Sequence, residues 1–289
     1  MGEKDITEKT LIAYNDVFAD IVNVLLFGGK RVIKPDSLLD AAPVSMYKSD
    51  DGKLHEQERD VSKYWVKGNV KLAMTGIENQ TSPEADMPLR VIAYDGASYR
   101  SELIGEKAVQ KYPVVTMVLY YGTKRWNKPV NLTDCFITPN ELKSYVNEYT
   151  INLFEIAYFN EKTVQLFQSD FKVVADYFVQ KRKYKDYIPS EVVIKHVDEV
   201  LKLMSVFVDD KFAIVSEELS DMEKENITMC EIVDRFVAQG IARGENKRDI
   251  EYKAALDLKE SGNTNIEDYR EKGISDDVIK IVLKLDKLD

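Results

Sequence analysis

The stretch ERDVSKYWVKGNVKLAMTGIENQ, residues 58–80, decides the fold because it joins two segments of β character through a turn. An aromatic and β-branched segment, 58–66, is separated by the turn signal KGN from a half-apolar segment, 70–80. Strand, tight turn and strand together predict a β-hairpin. The second strand ends with Glu78 and Gln80, a carboxylate and an amide two residues apart.

The polar residues of this hairpin are predicted to share one face. Side chains alternate between the two faces of a strand, and Asp60, Glu78 and Gln80 all have even numbers. With the turn centred on KGN, Asp60 lies opposite residue 76 or 78. Directly opposed Cβ atoms are about 4.5–5.5 Å apart, so the two carboxylates are expected to be neighbours.

Two carboxylates at that distance repel one another unless a cation lies between them. A divalent metal is the usual reason, because oxygen ligands suit Mg²⁺ or Mn²⁺. The alternative is the wet face of an ordinary hairpin, with the charges in solvent. Glu78 follows the apolar stretch LAMTGI, and a helix with Asp16 and Asp20 on one face is available to close a site, which favours the metal.

The rest of the chain predicts an α/β core followed by a helical extension. Residues 30–57 indicate a loop with room for a strand, and two further strands are expected at 112–122 and 151–159. Helices are predicted at 14–27, from Ser82 or Asp86 to about 104, from 161 to the KRKYK cluster at 181–185, and at 191–208, 228–260 and 275–288. These patterns divide the chain into a domain of residues 1–190 and a helical region of residues 191–289.

Composition limits the functional classes. A net charge of −10 argues against a general nucleic-acid coat protein, although residues 216–289, with 19 acidic and 12 basic residues, carry most of it. Only two cysteines are present, which fits a reducing cytoplasm. The polar start MGEKDITEKT predicts no signal peptide, and no apolar run approaches the ~20 residues of a membrane span.

Several segments in order resemble the Rpn family of recombination-promoting nucleases and transposases, within the PD-(D/E)XK nuclease superfamily. They are RDVSKYW, IENQT, MPLRVIAYDG and YPVVTMVLYYGTKRW, and the resemblance covers roughly residues 12–185. The later segment QGIARGE, residues 239–245, is similar to a Gly-X-X-X-Gly region toward the end of those chains.

This resemblance implies a helix, three-strand, helix, strand nuclease core and a set of site residues. Asp60 and Glu78 would be metal ligands for Mg²⁺ or Mn²⁺, and Gln80 would stand where many members of the superfamily have Lys. Gln is neutral and can only hydrogen-bond, so more of the chemistry would fall on the metal. The acid of the first helix would be Asp16, with Asp20 as second choice, or the matching position would be Asn15.

Other residues are candidates for contacts with DNA. Arg90 and Tyr94, one helical turn apart, would face the site and contact phosphate, or would simply pack. Lys181 and Arg182 begin a basic cluster that would touch a phosphate backbone or cap a helix end. The segment Lys124-Arg125-Trp126 is a second basic candidate. The C-terminal helices would pair two subunits or hold a partner.

Two functions from different classes follow. The first is a Mg²⁺-dependent DNA endonuclease that hydrolyses phosphodiester bonds in recombination, mobile-element activity or phage conflict. The second is a nuclease fold retained as a DNA-binding or protein-interaction module, with weak or absent cleavage. The missing Lys and the acidic balance favour the second.

Overall fold

The computed structural model describes residues 10–41, 44–48, 54–58, 60–104, 111–184, 187–207, 219–220, 224–225, 227–283 and 285. Contacts divide the chain into two units, Met1–Met229 and Cys230–Asp289. The functional boundary expected near residue 190 stays a prediction.

The first unit contains a mixed five-stranded sheet, which confirms the α/β class. Its strand order is β1-β4-β5-β6-β7; β1, β4 and β5 are antiparallel neighbours, whereas β5, β6 and β7 are parallel. Two further strands, β2 and β3, pair in an antiparallel two-stranded sheet. The strands are β1 (Leu38–Asp40), β2 (Val44–Lys48), β3 (Leu54–Glu58), β4 (Val61–Lys67), β5 (Val70–Gln80), β6 (Val114–Tyr120) and β7 (Asn152–Glu155).

Helices lie before, between and after these strands. They are α1 (Asn15–Leu25), α2 (Met87–Ile104), α3 (Glu161–Leu166), α4 (Phe171–Tyr184), α5 (Val197–Phe207), α6 (Met229–Glu260), α7 (Ile266–Glu271) and α8 (Asp276–Leu283). Short 3-10 helices occupy Pro35–Ser37, Leu132–Cys135, Asn140–Leu142 and Ile156–Tyr158.

The two faces of the sheet carry different helices. On the face that includes Glu78, α2 buries Met87 and Val91 against Val118 of β6, which pairs with Glu78. In this part of the sheet, side chains with odd residue numbers point to the other face. There the Lys63 ammonium lies 5.8 Å from the ring centroid of Phe18 in α1, and α1 contacts α4. The sheet is therefore covered on both sides, as its long apolar strands require.

Three predicted elements are markedly shortened or interrupted in the structure. The strand expected at 151–159 ends at Glu155 and continues as a 3-10 helix. The helix expected from residue 161 is interrupted between Leu166 and Phe171. The helix expected at 191–208 begins at Val197. The second and third departures have one cause, because backbone N–H groups in these segments bind buried carboxylates instead of forming helix bonds.

The second unit is helical, as the sequence predicts. Helix α6 spans 32 residues and packs with α7 and α8 around a small core that includes Ala255, Tyr269 and Ile279. The short helix α7 was not predicted, and residues 286–288 of the last predicted helix lie outside the described residues. No helix in the described part of the chain combines the length and apolarity needed to cross a membrane.

Candidate functional site

The hairpin of β4 and β5 brings Asp60 and Glu78 together at its open end. From Val61 to Trp65, paired residues have numbers that sum to 138, so the next position aligns Asp60 with Glu78. Asp60 Oδ2 accepts a hydrogen bond of 2.6 Å from the backbone N–H of Asn79. The register predicted from the sequence is confirmed.

A β-bulge sets this register. Next to the turn, Lys67 pairs with Val70 around a two-residue connection in which Gly68 has a φ of 60°. That pairing alone would align Asp60 with the opposite face of β5, because a one-residue slip exchanges the faces. One extra residue in β5, Leu72, corrects the register between Trp65 and Val66. The sequence did not reveal this bulge.

The positive charge beside Glu78 comes from α2. The Arg90 Nη2 atom lies 3.4 Å from Glu78 Oε2 and donates to the Tyr94 hydroxyl at 3.2 Å, while Nη1 binds Glu84. The Glu78 side chain is only 1% exposed, and a buried carboxylate needs such a partner. The helical spacing of Arg90 and Tyr94 thus brings both side chains to the hairpin acids, and their contact with phosphate stays a prediction.

The charges of these neighbouring groups shift the pKa values of Arg90 and Tyr94. Burial works against the charge of Arg90, but the contacts with Tyr94, Glu78 and Glu84 outweigh it and raise the pKa of the guanidinium. Burial also raises the pKa of Tyr94, and the negative charges of Glu78 and Asp60 raise it further. Tyr94 therefore stays protonated at neutral pH and can donate a hydrogen bond.

Gln80 is the last residue of β5 and follows Glu78 on the same face. Its pairing partner is Tyr120, and its carbonyl oxygen accepts a 2.8 Å hydrogen bond from the N–H of Tyr121. The side chain is partly exposed at the carboxyl end of the parallel strands. In α/β sheets this edge is the usual place for ligands.

Asp16 in α1 has a different set of partners. Its Oδ2 atom accepts a 2.6 Å hydrogen bond from Lys195 Nζ, and both carboxylate oxygens lie 3.1 Å from His196 Nε2. The His196 ring stacks on Tyr14 with a centroid separation of 3.8 Å. Burial raises the pKa of Asp16, but the bonds from Lys195 and His196 outweigh it and lower the pKa below its usual value.

The two alternatives to Asp16 are also engaged. Asp20 Oδ2 accepts hydrogen bonds from the backbone N–H groups of Gln168 and Ser169 and from the Ser169 hydroxyl, at 2.7–2.8 Å, and Oδ1 binds Arg31. Asn15 Nδ2 donates to the carbonyl of Leu38 at 3.3 Å. Both side chains fasten α1 to neighbouring segments.

The acid of the first helix is therefore not grouped with the hairpin acids. Among the described residues, no three His, Cys, Asp or Glu side chains form a group that could hold a metal ion. The pair Asp60 and Glu78 still fits a hard cation chemically, since Mg²⁺ is commonly bound by one or two carboxylates together with substrate phosphates. In the structure the cation beside Glu78 is Arg90.

The predicted basic contacts lie in the last turn of α4. Lys181 is exposed, with its Nζ atom 5.9 Å from the ring centroid of Tyr177. Arg182 Nε donates to the carbonyl of Ala157 at 2.6 Å, and its guanidinium lies over Tyr158. The structure therefore places Arg182 against the segment that follows β7, whereas Lys181 lies exposed beside Tyr177 of its own helix. Lys185, the end of the predicted cluster, lies outside the described residues.

Asp95 is a buried polar residue that the sequence patterns did not single out. Asp95 of α2 is 5% exposed and accepts hydrogen bonds from Thr116 Oγ1 at 2.6 Å and from the Tyr149 hydroxyl at 2.5 Å. These residues line a cavity of about 340 Å³ between α2 and the start of β6. The available signal was an acid directly after Tyr94 in an otherwise apolar part of the helix.

Comparison with known proteins gives one family match. The family model described as "Putative transposase, YhgA-like" matches residues 65–209, half of the 289-residue chain. This segment includes Glu78, Gln80, Arg90 and Tyr94, and it begins within β4, after Asp60. No curated protein and no solved structure matches the chain. Because the family model covers half of its length, the protein belongs to the YhgA-like transposase family of the recombination-promoting nuclease type, which relates it to transposition and nuclease action.

Proposed function

We propose that the protein is a metal-dependent endonuclease that hydrolyses phosphodiester bonds in DNA, on a PD-(D/E)XK-like core. The observation that carries this proposal is the hairpin register, which aligns Asp60 with Glu78 at the end of a buried strand. A sheet of β4, β5 and β6, preceded by α1 and with α2 inserted before β6, agrees with the helix, strand and helix order of that core.

Asp60 and Glu78 would hold the metal ion. When bound, Mg²⁺ or Mn²⁺ lowers the pKa of water and neutralises charge on a phosphate. Gln80 follows at the exposed end of the strand, where its amide can orient water or a phosphate oxygen by hydrogen bonding. Gln80 carries no charge, so it cannot neutralise the negative charge that develops in the transition state.

Arg90 supplies a charge that Gln80 lacks. Its guanidinium already lies between Glu78 and Glu84, and it is 36% exposed. It can therefore turn from these carboxylates to an entering phosphate, which it would bind with two parallel hydrogen bonds. Tyr94, protonated at neutral pH, can hold the guanidinium in place. Arg90 would perform part of the role that Lys has elsewhere in the superfamily.

Plasmid nicking tests this function directly. Supercoiled plasmid is incubated with Mg²⁺ or Mn²⁺ and with wild-type protein, Asp60→Asn or Glu78→Gln. Phosphodiester hydrolysis needs one of the larger known rate enhancements, so loss of either carboxylate should reduce nicking to background. Glu141→Gln, which changes an exposed acid in the β6–β7 connection, is the matched control and should nick like wild type. Equal nicking by every variant would identify a contaminant and reject the proposal.

A second function has its own support. Arg90 already neutralises Glu78, so the pair is compatible with a fold that uses no metal and serves as a DNA-binding or protein-interaction module. Thermal unfolding with and without Mn²⁺ separates the two functions. A rise in Tm that Glu78→Gln abolishes supports the metal-dependent enzyme, and no rise in the wild type supports the module.

A further inference from the structure

Two arginines from distant segments meet on one aromatic ring. The guanidinium carbon of Arg125 lies 3.8 Å from the ring centroid of Tyr158, and that of Arg182 lies 4.5 Å from it. We call Arg125, Tyr158 and Arg182 the arginine clamp. The ring faces attract the cations, but two like charges on one ring also repel each other. An anion that binds both would relieve this repulsion.

Hydrogen bonds fix the clamp in place. The Tyr158 hydroxyl donates to the carbonyl of Thr123 at 3.0 Å, and Arg125 Nη1 donates to Glu155 Oε2 at 2.6 Å. Arg182 Nε donates to the carbonyl of Ala157 at 2.6 Å, and within the described part of the chain its Nη atoms donate no hydrogen bond. Stacking holds both guanidinium planes. The Nη1–Nη2 edge of Arg182 stays available for bidentate phosphate binding, whereas Arg125 already uses Nη1 to bind Glu155 and has its other donors left for phosphate.

The surroundings of the clamp are strongly basic in an acidic protein. The segment 121–130 carries Lys124, Arg125 and Lys128 and contains no acid. The last turn of α4 adds three more cations, Lys181, Arg182 and Lys183. Glu155 is 19% exposed and pairs with Arg125, and the exposed Glu161 pairs with Lys183. Most of these cations are exposed, so the surface suits a polyanion.

The clamp lies at the same edge of the sheet as the hairpin acids. Gln80 pairs with Tyr120, and Tyr120 pairs with Glu155, the residue that binds Arg125. Neighbouring strands are about 4.8 Å apart, so Glu155 is roughly 10 Å from Gln80 across the sheet. The clamp is therefore near enough for one DNA strand to contact both it and the hairpin acids.

We propose that the arginine clamp binds the phosphate backbone of DNA at the edge of the sheet that also carries Glu78 and Gln80. Binding of the clamp to the DNA backbone is independent of the proposed nuclease function. Only the assignment of the clamp to substrate positioning rests on that function. Both arginines would contact phosphate and cover the Tyr158 ring, so the clamp would make no sequence-specific contacts with bases. The class of ligand is DNA of any sequence.

DNA affinity measured without metal tests the clamp. Fluorescence anisotropy of a labelled duplex of mixed sequence is recorded in EDTA over a series of salt concentrations, for wild type, Arg125→Gln, Arg182→Gln and the double variant. Each lost contact should weaken binding several-fold and lower the slope of log K against log salt by about 0.9. Arg100→Gln is the control. It removes the same charge from an exposed arginine near the C-terminal end of α2, which is not part of the clamp, and it should leave the slope unchanged.

The Tm of each variant checks that it folds. Arg125→Lys and Arg182→Lys are conservative variants that keep the test possible if a Gln variant does not fold. The Lys variants keep the charge but lose the planar fork, so they should bind between wild type and the Gln variants. Clamp variants that bind DNA like Arg100→Gln, with an unchanged salt slope, overturn the proposal. Clamp-dependent binding without plasmid nicking would reject only the nuclease, whereas clamp-dependent binding with nicking that is indifferent to the clamp would reject only its assignment to substrate positioning.

Discussion

The acids of the hairpin and the acids of α1 were both candidates for one metal site, and the structure treats them differently. Asp20 is held by the backbone N–H groups of Gln168 and Ser169, which cannot move without the chain. Glu78 is held by Arg90, a long side chain that is partly exposed. Asp20, which is fixed by backbone donors, therefore anchors the fold, whereas Glu78, which is fixed by a movable side chain, can exchange its partner for a metal ion.

The largest effect expected from this difference is on stability. Asp20→Ala removes the acceptor of the Gln168 and Ser169 N–H groups and of Arg31, so the free energy of unfolding should fall by about 3 kcal/mol. Glu78→Gln keeps the shape of the side chain and can still accept from Arg90, so the loss should be about 1 kcal/mol. Urea-induced unfolding measures both values.

Asp20→Asn provides a milder variant in case Asp20→Ala does not fold, and it should fall between the two. Equal losses for Asp20→Ala and Glu78→Gln would break the comparison, because the hairpin acid would then anchor the fold as firmly as the helix acid.

A second prediction concerns the exchange of Arg90 for a metal ion. Arg90→Gln removes the positive charge beside Glu78. The metal-free protein should therefore lose stability and bind Mn²⁺ more tightly. At about 100 times the dissociation constant, a ligand adds roughly 2.7 kcal/mol of stability. The rise in Tm at a fixed, subsaturating Mn²⁺ concentration should therefore be larger for Arg90→Gln than for wild type.

Arg100→Gln is the control for charge and should respond to Mn²⁺ like wild type. A smaller rise in Arg90→Gln than in wild type would show that Arg90 supports metal binding rather than competing with it.

A third prediction concerns the turn that sets the hairpin register. Gly68 has a φ of 60°, and a Cβ atom there would meet nothing within 4 Å. Gly68→Ala should therefore cost about 1 kcal/mol of stability through backbone strain alone. Gly96 in α2 is equally open but has ordinary helical geometry, so Gly96→Ala should gain up to about 1 kcal/mol. Chemical denaturation compares the two, and a loss in both would point to a steric cause.

The sequence could predict those features of the site that depend on local geometry. Alternation and turn signals predicted the hairpin, and parity placed Asp60 and Glu78 on one face, because these patterns depend on local geometry. The bulge at Leu72 was missed, although it is what makes the parity argument correct. Beside the turn the paired residue numbers have an odd sum, and only the extra residue of the bulge restores the even sum that the argument assumed.

The partners of the carboxylates could not be predicted from local pattern. Asp16 and Asp20 lie on one helix at a spacing of four, which made them equivalent in the sequence. Their partners, His196 and Ser169, are about 150 to 180 residues away in the chain. Tyr158 was missed for the same reason, since its role depends on two arginines from separate segments.

The smallest expected effect belongs to Asp16, and it depends on pH. The bonds from Lys195 and His196 keep the pKa of Asp16 below its unfolded value of about 3.9, so its contribution is present above about pH 4 and is lost as the pH falls through the folded pKa. Asp16→Asn should lower stability at pH 7 by less than about 1 kcal/mol, because Asp16 and Lys195 are both partly exposed. Thermal unfolding between about pH 7 and 3 should show the two proteins converging in acid, whereas the exposed control Asp36→Asn should show no such difference at pH 7. A difference between Asp16→Asn and wild type that persists at the lowest pH would mean that Asp16 acts through its shape, which would set it beside Asp20 as a structural anchor.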